Sequence, residues 1–359
     1  MVQGPSNSSG VRAWLLLGDK AGDNAQLRAL AAAAGLAVEE KHPVLNARAS
    51  LPNVVLGASG LSLRDADSAG LRAPWPGVVL ASGRKNSAVA RWIRRQSGGQ
   101  TKLVHVGRPW APLGWFDLVL TQPQYQLPAR ANVHRSALPF NQLAPARLQA
   151  GAARWQTIWA HLPRPWLGLI VGGPARPLVL DAARAGEIGR QASALARQLG
   201  GALLVCTSRR TPTAAADALV AAIDAPHFVF RWSAAAKPDD NPYVGLVALA
   251  DRLIVTGDSA SMLAEALRSA KPVMIAPLAA RLDLRRRLAN ALQACLPAPL
   301  FDRLVGAGLV NSTRDLRKLI QPLLDAGIVA ALDGPARAPG AFIDDLPAAA
   351  TRLRALIGS

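Results

Sequence analysis

The sequence has few residues of the kinds that bind metals or form disulfides. Its two cysteines, Cys206 and Cys295, are far apart and match no metal-binding or redox spacing, and its five histidines include no pair at helical ligand spacing. We interpret both cysteines as core thiols of a reducing compartment. We expect neither a metal site held by the protein nor a covalently bound cofactor.

Long hydrophobic runs are also missing, since no stretch approaches the roughly 18 apolar residues that a membrane-spanning helix requires. The polar, flexible segment 1–11 lacks the basic region of a signal peptide, and the apolar run AWLLLG behind it is too short for a signal sequence. We therefore expect a cytoplasmic protein. Peripheral docking on the inner face of the cytoplasmic membrane is a further expectation.

Acidic residues are scarce as well, because 41 Lys and Arg residues stand against 23 Asp and Glu, which gives a net charge of +18. The abundance of Ala and Arg is typical of a GC-rich bacterial genome, but that bias does not explain the shortage of acids. An excess of this size predicts an anionic partner: a phosphorylated ligand, an acidic membrane surface or a nucleic acid. Nucleic acid is disfavoured because no recognition motif accompanies the charge.

Apolar strand-like runs alternate with helical patterns along the chain. Strands of this kind, apolar without alternation and separated by helices, indicate a parallel sheet that is covered on both faces. Helices are predicted at 21–35, from 87 onward and at 181–200. The candidate strands are 13–18, 77–82, 102–107, 116–121, 166–173, 202–208, 227–232, 252–258 and 272–278.

The alternating pattern pauses between Pro139 and Pro165, where one connecting helix is predicted, and then restarts. The sequence therefore predicts an α/β fold with two Rossmann-like, doubly wound domains. We expect an N-terminal domain at 12–140, a linker helix at 141–164 and a C-terminal domain at 165–335. A last helix within 336–359 is expected to pack back on the first domain.

The turns after the strands of the second domain carry the residues of a candidate anion site. Ligands of doubly wound sheets bind at the carboxyl ends of the strands, and glycines, arginines and helix starts there suit a phosphate. Each turn also has a simpler explanation. Gly172 and Gly173 fit a plain turn, Arg209 and Arg210 fit a solvated pair, and Asp258 fits a helix cap. The candidates are Gly172, Gly173, Ser208, Arg209, Arg210, Asn241, Thr256, Gly257, Asp258, Ser259 and Met262.

Glu265 is a carboxylate in a segment that otherwise reads as buried. It lies seven residues beyond Asp258, about two turns into the predicted helix. An unpaired buried charge is costly, so this side chain either faces solvent or binds a partner. A diol such as ribose would satisfy it with two hydroxyl donors.

The first domain has polar turns at two strand ends. Asp19 and Asp23 are candidate general bases toward an acceptor hydroxyl, and Lys20 is a candidate phosphate ligand. The alternative is that the two carboxylates only cap the helix at Ala21. The Walker A order and the G-x-G-x-x-G pattern are both absent, which disfavours a dinucleotide cofactor. Further acceptor-side candidates are Gly22, Gln26, Ser82, Gly83, Arg84 and Lys85.

A basic helix at 87–97 is a candidate membrane surface. Arg91, Arg94 and Arg95 share one face of it, and the first half also carries Trp75, Trp92, Trp110 and Trp115. Tryptophan prefers the headgroup boundary and basic residues attract anionic lipid. The alternative is a solvated basic face with the tryptophans packed inside.

Several motifs resemble one known family. GDKAGDNAQ, ASGRKNSAVARWIR, LIVGGP, TSRRTP and TGDSASMLAEA are similar to segments of the plant "elongated mitochondria" fission family and its bacterial relatives, over about residues 12–280. That family is similar in turn to GT-B glycosyltransferases, which pair two Rossmann-like domains across a cleft. The resemblance implies a nucleotide-sugar donor as substrate, with the turn 256–259 at its phosphates and Glu265 at its ribose.

Two functions follow from these expectations. The first is a metal-independent glycosyltransferase that moves a sugar from a nucleotide-sugar donor to a lipid-linked or envelope glycan acceptor, with Asp19 or Asp23 as the base. The second is a non-catalytic GT-B-like scaffold that binds a protein partner at a membrane surface, which is the role discussed for the plant member of the family.

Overall fold

The computed structural model describes residues 11–65, 70–310, 312–334 and 342–358. Its strands are β1 (Arg12–Leu16), β2 (Ala37–Lys41), β3 (Val78–Ser82), β4 (Lys102–Val106), β5 (Leu118–Thr121), β6 (Val133–Arg135), β7 (Trp166–Val171), β8 (Leu178–Val179), β9 (Ala202–Thr207), β10 (His227–Phe230), β11 (Arg252–Thr256), β12 (Val273–Ala276), β13 (Ala279–Ala280) and β14 (Ala330–Ala331). Each strand predicted from the sequence is present, with ends within two residues of the expected ones.

The helices follow the strands in the expected alternation. They are α1 (Ala21–Ala33), α2 (Asn53–Leu56), α3 (Arg84–Gln96), α4 (Pro145–Trp159), α5 (Ala182–Gln198), α6 (Thr213–Ala221), α7 (Tyr243–Leu249), α8 (Ala260–Leu267), α9 (Leu284–Cys295), α10 (Ala298–Gly306), α11 (Arg317–Asp325) and α12 (Leu346–Gly358). Among the described residues, none of these helices is long and apolar enough to cross a membrane.

The chain divides into two compact units. Unit 1 contains the described residues of 1–141, 288–315 and 344–359, and unit 2 those of 142–287 and 316–343. The division differs from the expected boundaries in two respects. The segment 142–164, expected to be a linker, belongs to unit 2, and the segment 288–315, expected in the second domain, belongs to unit 1.

Unit 1 is a six-stranded parallel sheet in the order β2-β1-β3-β4-β5-β6. Successive side chains of β1 point to opposite faces, so Leu15 packs in one core and Trp14 in the other. The face with Leu15 is covered by α1 and α12, and the face with Trp14 is covered by α3. Because both faces are buried, the inner strands β1, β3, β4 and β5 are mainly apolar, as the sequence pattern indicated, whereas the edge strands β2 and β6 carry polar and charged residues.

Unit 2 is a second six-stranded parallel sheet, in the order β10-β9-β7-β11-β12-β14. Helix α5 covers one face, where Ile188 packs with Leu169 and Val205. Helix α4 packs on α7, and the approach is close because a Cβ on Gly245 would lie 2.4 Å from the Trp155 ring. This contact places α4 in unit 2.

The two sheets confirm the predicted fold class of an α/β chain with two Rossmann-like, doubly wound domains. Taken in chain order, unit 2 has the strand order 3-2-1-4-5-6 that is typical of dinucleotide-binding folds, and unit 1 has the order 2-1-3-4-5-6. One sequence expectation was wrong in part. Cys206 is buried at the end of β9, whereas Cys295 is exposed at the end of α9.

Candidate functional site

Each sheet has one topological switch point, where the strand order reverses, and ligands of such sheets bind there at the carboxyl ends of the strands. In unit 2 the switch point lies between β7 and β11, which are followed by the turns at 172–173 and 256–259. In unit 1 it lies between β1 and β3, which are followed by the turns at 17–20 and 83. The turns predicted from the sequence therefore flank the two places where the topology leaves a crevice.

The unit 2 crevice contains a buried carboxylate, Asp258. It accepts hydrogen bonds from the Thr256 hydroxyl at 2.6 Å and from the Gly173 N–H at 3.0 Å. Its third partner is the Arg210 guanidinium, whose Nη2 lies 2.7 Å from the carboxylate. The Thr256 hydroxyl in turn accepts from the Gly172 N–H at 2.8 Å. Asp258 therefore binds the two turns of the switch point and Arg210 together.

This arrangement accounts for the glycine pair and shows which residue caps the helix. A Cβ on Gly172 would lie 2.2 Å from the Asp258 carboxylate, and one on Gly173 would lie 2.0 Å from the Arg210 carbonyl oxygen. Glycine is required at both positions because the chain's own atoms approach so closely. The cap of α8 is Ser259, whose hydroxyl accepts from the Met262 N–H at 3.4 Å, so Asp258 is not the cap.

The arginine pair after β9 divides into one engaged and one exposed residue. Arg210 also donates to the Gly173 carbonyl at 3.3 Å, so much of its hydrogen-bonding capacity is used inside the protein. Arg209 is exposed and makes no hydrogen bond or ion pair with other described residues. Ser208 is tied to Thr211, whose hydroxyl accepts from the Ser208 N–H at 2.9 Å. Of this turn, Arg209 is the side chain that remains free for an anion.

Glu265 lies on α8 and is half-buried. Its carboxylate accepts a short hydrogen bond from the Tyr243 hydroxyl. Burial raises the pKa of Glu265, while Tyr243, Arg147 and Arg268 act in the opposite direction. Burial, with Glu265 as a second cause, raises the pKa of Tyr243 well above its usual value.

Asn241 and Cys206 complete this cluster at the strand ends. The Asn241 side-chain oxygen accepts from the Tyr243 N–H at 2.9 Å and lies 3.5 Å from the Cys206 sulfur, so it fixes the start of α7. Burial raises the pKa of the Cys206 thiol to about 12, which makes it a poor nucleophile at neutral pH. The sequence analysis missed Tyr243 and Arg147, since only the packing of α4, α7 and α8 brings them to Glu265.

Unit 1 has a cavity of about 340 Å³ at its switch point. The structure brings together seven of the residues predicted for this site in the lining: Asp19, Lys20, Asp23, Ser82, Gly83, Arg84 and Lys85. Asn24 also lines the cavity and holds the turn at Gly18, because it accepts from the Gly18 N–H at 2.9 Å and donates to the Gly18 carbonyl at 2.8 Å. His42 and Asn86 also line the cavity and were not predicted.

Asp23 is the half-buried carboxylate of this cavity. Burial raises its pKa, and the charges of Lys20 and Arg314 oppose that effect. Helix α1 begins after Lys20 with no side-chain cap, so the alternative that Asp19 or Asp23 caps it is wrong. Burial also raises the pKa of Tyr125. The charges of Arg314 and Arg108 lower this pKa, and the charge of Asp23 raises it. Tyr125 and Arg314 come from distant parts of the chain, and nothing in the local sequence pattern marked them.

Three residues predicted for the acceptor side make hydrogen bonds within unit 1. The Gly22 carbonyl accepts from Asn141 at 2.9 Å, and the buried Gln26 accepts from the Phe140 N–H at 3.4 Å. Neither Gly22 nor Gln26 lines the cavity. The Arg84 guanidinium donates at 3.0–3.1 Å to three carbonyls of the segment before α2, those of Ala49, Ser50 and Leu51.

The face of α3 predicted to meet a membrane is largely engaged within unit 1. Trp75 packs edge-on against Trp14 and Trp92, with ring centroids 5.8 and 5.9 Å apart. The Arg91 guanidinium stacks 3.6 Å from the Trp115 ring centroid, and Arg94 pairs with Asp117 at 3.1 Å. The tryptophans are thus packing residues, as the alternative expectation had it, apart from Trp110, which is exposed.

In the described ranges, no three His, Cys, Asp or Glu side chains form a group that could hold a metal ion. Comparisons with solved structures give low scores. The spinosyn forosaminyltransferase SpnP has a TM-score of 0.46 at 13% identity, covering 97% of this chain and 94% of that one. The UDP-GlcNAc 2-epimerase from Neisseria meningitidis bound to UDP-GlcNAc has a TM-score of 0.45 at 11% identity, covering 97% and 100%. TM-scores below 0.5 do not establish a common fold.

Sequence comparison is more informative. The mitochondrial fission protein ELM1 of Arabidopsis thaliana is 25% identical over 232 residues, which cover 56% of this chain and 51% of that protein. The chain thus matches about half the length of this relative. The family described as mitochondrial fission ELM1 matches residues 21–350, which is most of the chain. The chain therefore belongs to the mitochondrial fission ELM1 family.

Proposed function

We propose that this protein is a glycosyltransferase that binds a nucleotide sugar at the switch point of unit 2. Its acceptor is a lipid-linked or envelope glycan whose reacting hydroxyl binds in the unit 1 cavity. The leaving phosphate is stabilised by Arg209 and by the N-terminus of α8, since cationic side chains and helix N-termini favour a developing negative charge. Asp23 accepts the proton of the acceptor hydroxyl.

One observation carries the proposal: the half-buried carboxylate of Glu265 on the same helix as the Ser259 cap. Glu265 lies six positions after Ser259, which corresponds to a rise of about 9 Å along the helix axis. A ligand with an anionic group at one end and a diol at the other would therefore meet the helix N-terminus and Glu265 together. A nucleoside diphosphate sugar has this chemistry.

The role of Asp23 rests on its environment. A carboxylate whose pKa is raised by burial is a better proton acceptor than an exposed one, and Asp23 lines a cavity large enough for a sugar-sized group. Asp19 lines the same cavity but is exposed. Of the two bases expected from the sequence, the environment therefore favours Asp23.

A second candidate function, a non-catalytic scaffold, is favoured by the Asp258 network. Asp258, Arg210, Thr256 and the Gly173 N–H satisfy one another, so several residues expected to hold phosphate are already bonded. The Arabidopsis relative is named for a role in mitochondrial fission. A protein partner would then replace the nucleotide sugar.

Calorimetric titration with UDP, GDP and CMP separates the two functions. The wild type, Arg209→Ala and Glu265→Gln are compared with Arg231→Ala as a control, because Arg231 is an exposed arginine of unit 2 in a surface ion pair. We expect the wild type and the control to bind one nucleotide equally and the other two variants to bind it more weakly. If the wild type binds none of the three, the scaffold function is supported and the transferase proposal fails.

A further inference from the structure

The long connection between β2 and β3 exposes a group of large apolar side chains. Val55 on α2 is 67% exposed and Leu61 is 52% exposed. Leu51, Val54 and Trp110 are exposed as well. Apolar surface residues that are scattered singly need no explanation, but a group concentrated around one turn of helix marks an interaction site. We call these five residues the α2 surface.

Buried polar side chains fix the α2 surface in place. The Asn53 amide is buried and donates to the carbonyls of Arg84 at 2.9 Å and of Pro109 and Trp110 at 3.2 Å. Asn53 therefore holds α2 beside Trp110. From the other side, Arg84 donates to the Leu51 carbonyl at 3.0 Å. The exposed side chains are held outward by this scaffold and are not the result of a frayed helix.

The sequence around the α2 surface is strongly basic. Between residues 42 and 116 it contains ten Lys and Arg residues and two Asp residues. An open groove of about 460 Å³ runs beside Leu61 and is lined by Arg48, Trp92 and Arg95 among others. Apolar side chains next to arginines complement a surface that has anionic headgroups above an apolar layer, because the apolar groups enter that layer while the guanidinium groups stay at the headgroups.

We propose that the α2 surface is where unit 1 docks on an anionic lipid bilayer. Val54, Val55 and Leu61 enter the headgroup boundary, and Arg48 and Arg95 contact the lipid phosphates. This inference deepens the proposed function, since it gives a surface for the lipid-linked acceptor, and it centres the membrane contact on α2, with Arg95 as the residue of the α3 face that takes part. Arg84 connects the α2 surface to the unit 1 cavity, because it lines the cavity and bonds the segment before α2.

Vesicle sedimentation of the full chain tests the docking surface. Neutral phosphatidylcholine vesicles and vesicles with about one third phosphatidylglycerol are compared over a salt series, because electrostatic attraction is screened by salt. Val54→Asp/Val55→Asp changes the α2 surface. Ile343→Asp, which alters a side chain of unit 2 that is 79% exposed, is the matched control. Thermal melts verify that the variants fold.

We expect the wild type and Ile343→Asp to sediment with anionic vesicles only and to be released by salt. Val54→Asp/Val55→Asp should bind at least tenfold more weakly, and Arg48→Glu/Arg95→Glu should lose the salt-sensitive part. The inference is overturned if the wild type binds no vesicles, if the α2 variant binds as the wild type does, or if the α2 surface instead joins two copies of the chain in solution. Nucleotide titration is independent of these outcomes, so the proposed function and the docking surface fail separately.

Discussion

Replacing Asp258 by alanine should lower the free energy of unfolding of unit 2 by about 2–6 kcal/mol, the cost of leaving two buried hydrogen-bond donors unsatisfied. The Asp258 side chain has no exposed surface, and its loss leaves the Gly173 N–H and the Thr256 hydroxyl without their acceptor. Each buried donor left unsatisfied costs about 1–3 kcal/mol. The loss of the ion pair with Arg210 adds little to this cost, because 41% of the Arg210 side chain is exposed and its guanidinium can turn toward water.

The complementary change, Arg210→Ala, should cost less, about 1–3 kcal/mol, because two neutral donors still satisfy the Asp258 carboxylate. The control is Arg231→Ala, which removes an exposed ion pair with Asp217 in the same unit. Exposed pairs contribute about 0–1 kcal/mol. A double-mutant cycle of Asp258 and Arg210 should give a coupling free energy of about 0.5–3 kcal/mol.

Native-state hydrogen exchange in low urea is the appropriate measurement, because two units need not unfold in one transition. Peptides from β7 and β11 report the opening free energy of unit 2, and peptides from β3 and β4 serve as the internal reference in unit 1. A loss of less than about 1 kcal/mol for Asp258→Ala, no larger than that for Arg231→Ala, would refute the view that Asp258 holds the turns together.

Glu265→Gln should weaken nucleotide binding by about 1.5–3 kcal/mol in calorimetric titration, since the amide loses one acceptor of a charged hydrogen bond. Because burial raises the pKa of Glu265, its charged form is disfavoured in the fold, so the same variant should melt at a higher temperature at pH 7; a lower melting temperature would contradict this. Burial lowers the pKa of His105 from 6.5 to about 4, so below pH 6.5 the unfolded chain binds a proton that the folded protein does not. The free energy of unfolding should therefore be highest above pH 6.5 and fall by about 3 kcal/mol as the pH drops toward 4. His105→Gln removes this titratable group. The free energy of unfolding of the variant, measured by urea unfolding at each pH, should therefore change less between pH 6.5 and 4. Gly245→Ala should destabilise unit 2 by about 1–3 kcal/mol in urea unfolding, because the added methyl would overlap the Trp155 ring; an unchanged midpoint would show that α4 can move away.

The sequence predicts the strands well because each is an apolar run that ends at a polar or glycine turn. It also predicts that Asp19, Asp23 and Ser82 lie near one another, as they do in the cavity, because parallel strands bring their carboxyl ends to one edge of the sheet. It does not predict the partners of Asp258, since these depend on β7 lying beside β11.

The roles of Gln26 and Arg84 also could not be predicted. Gln26 bonds the backbone at Phe140, and Arg84 bonds the segment before α2, both through contacts distant in sequence. A polar residue in a turn looks the same whether it meets a ligand or a distant backbone carbonyl. The division of the chain was missed for the same reason, because no local pattern shows that 288–315 returns to unit 1.

The interrupted path of the chain has a consequence for how the protein is made. Helix α12 supplies Leu346, Ala349, Ala350 and Leu353 to the core that α1 also covers. On the ribosome, the part of that core that α12 covers stays exposed to water while the whole of unit 2 is being synthesised. At the usual elongation rate of about 5–20 residues per second, the roughly 200 residues between β6 and α12 take about 10–40 s to add. Unit 1 therefore exposes an apolar strip during this time, and transiently exposed apolar surface of this kind makes a nascent chain prone to aggregate.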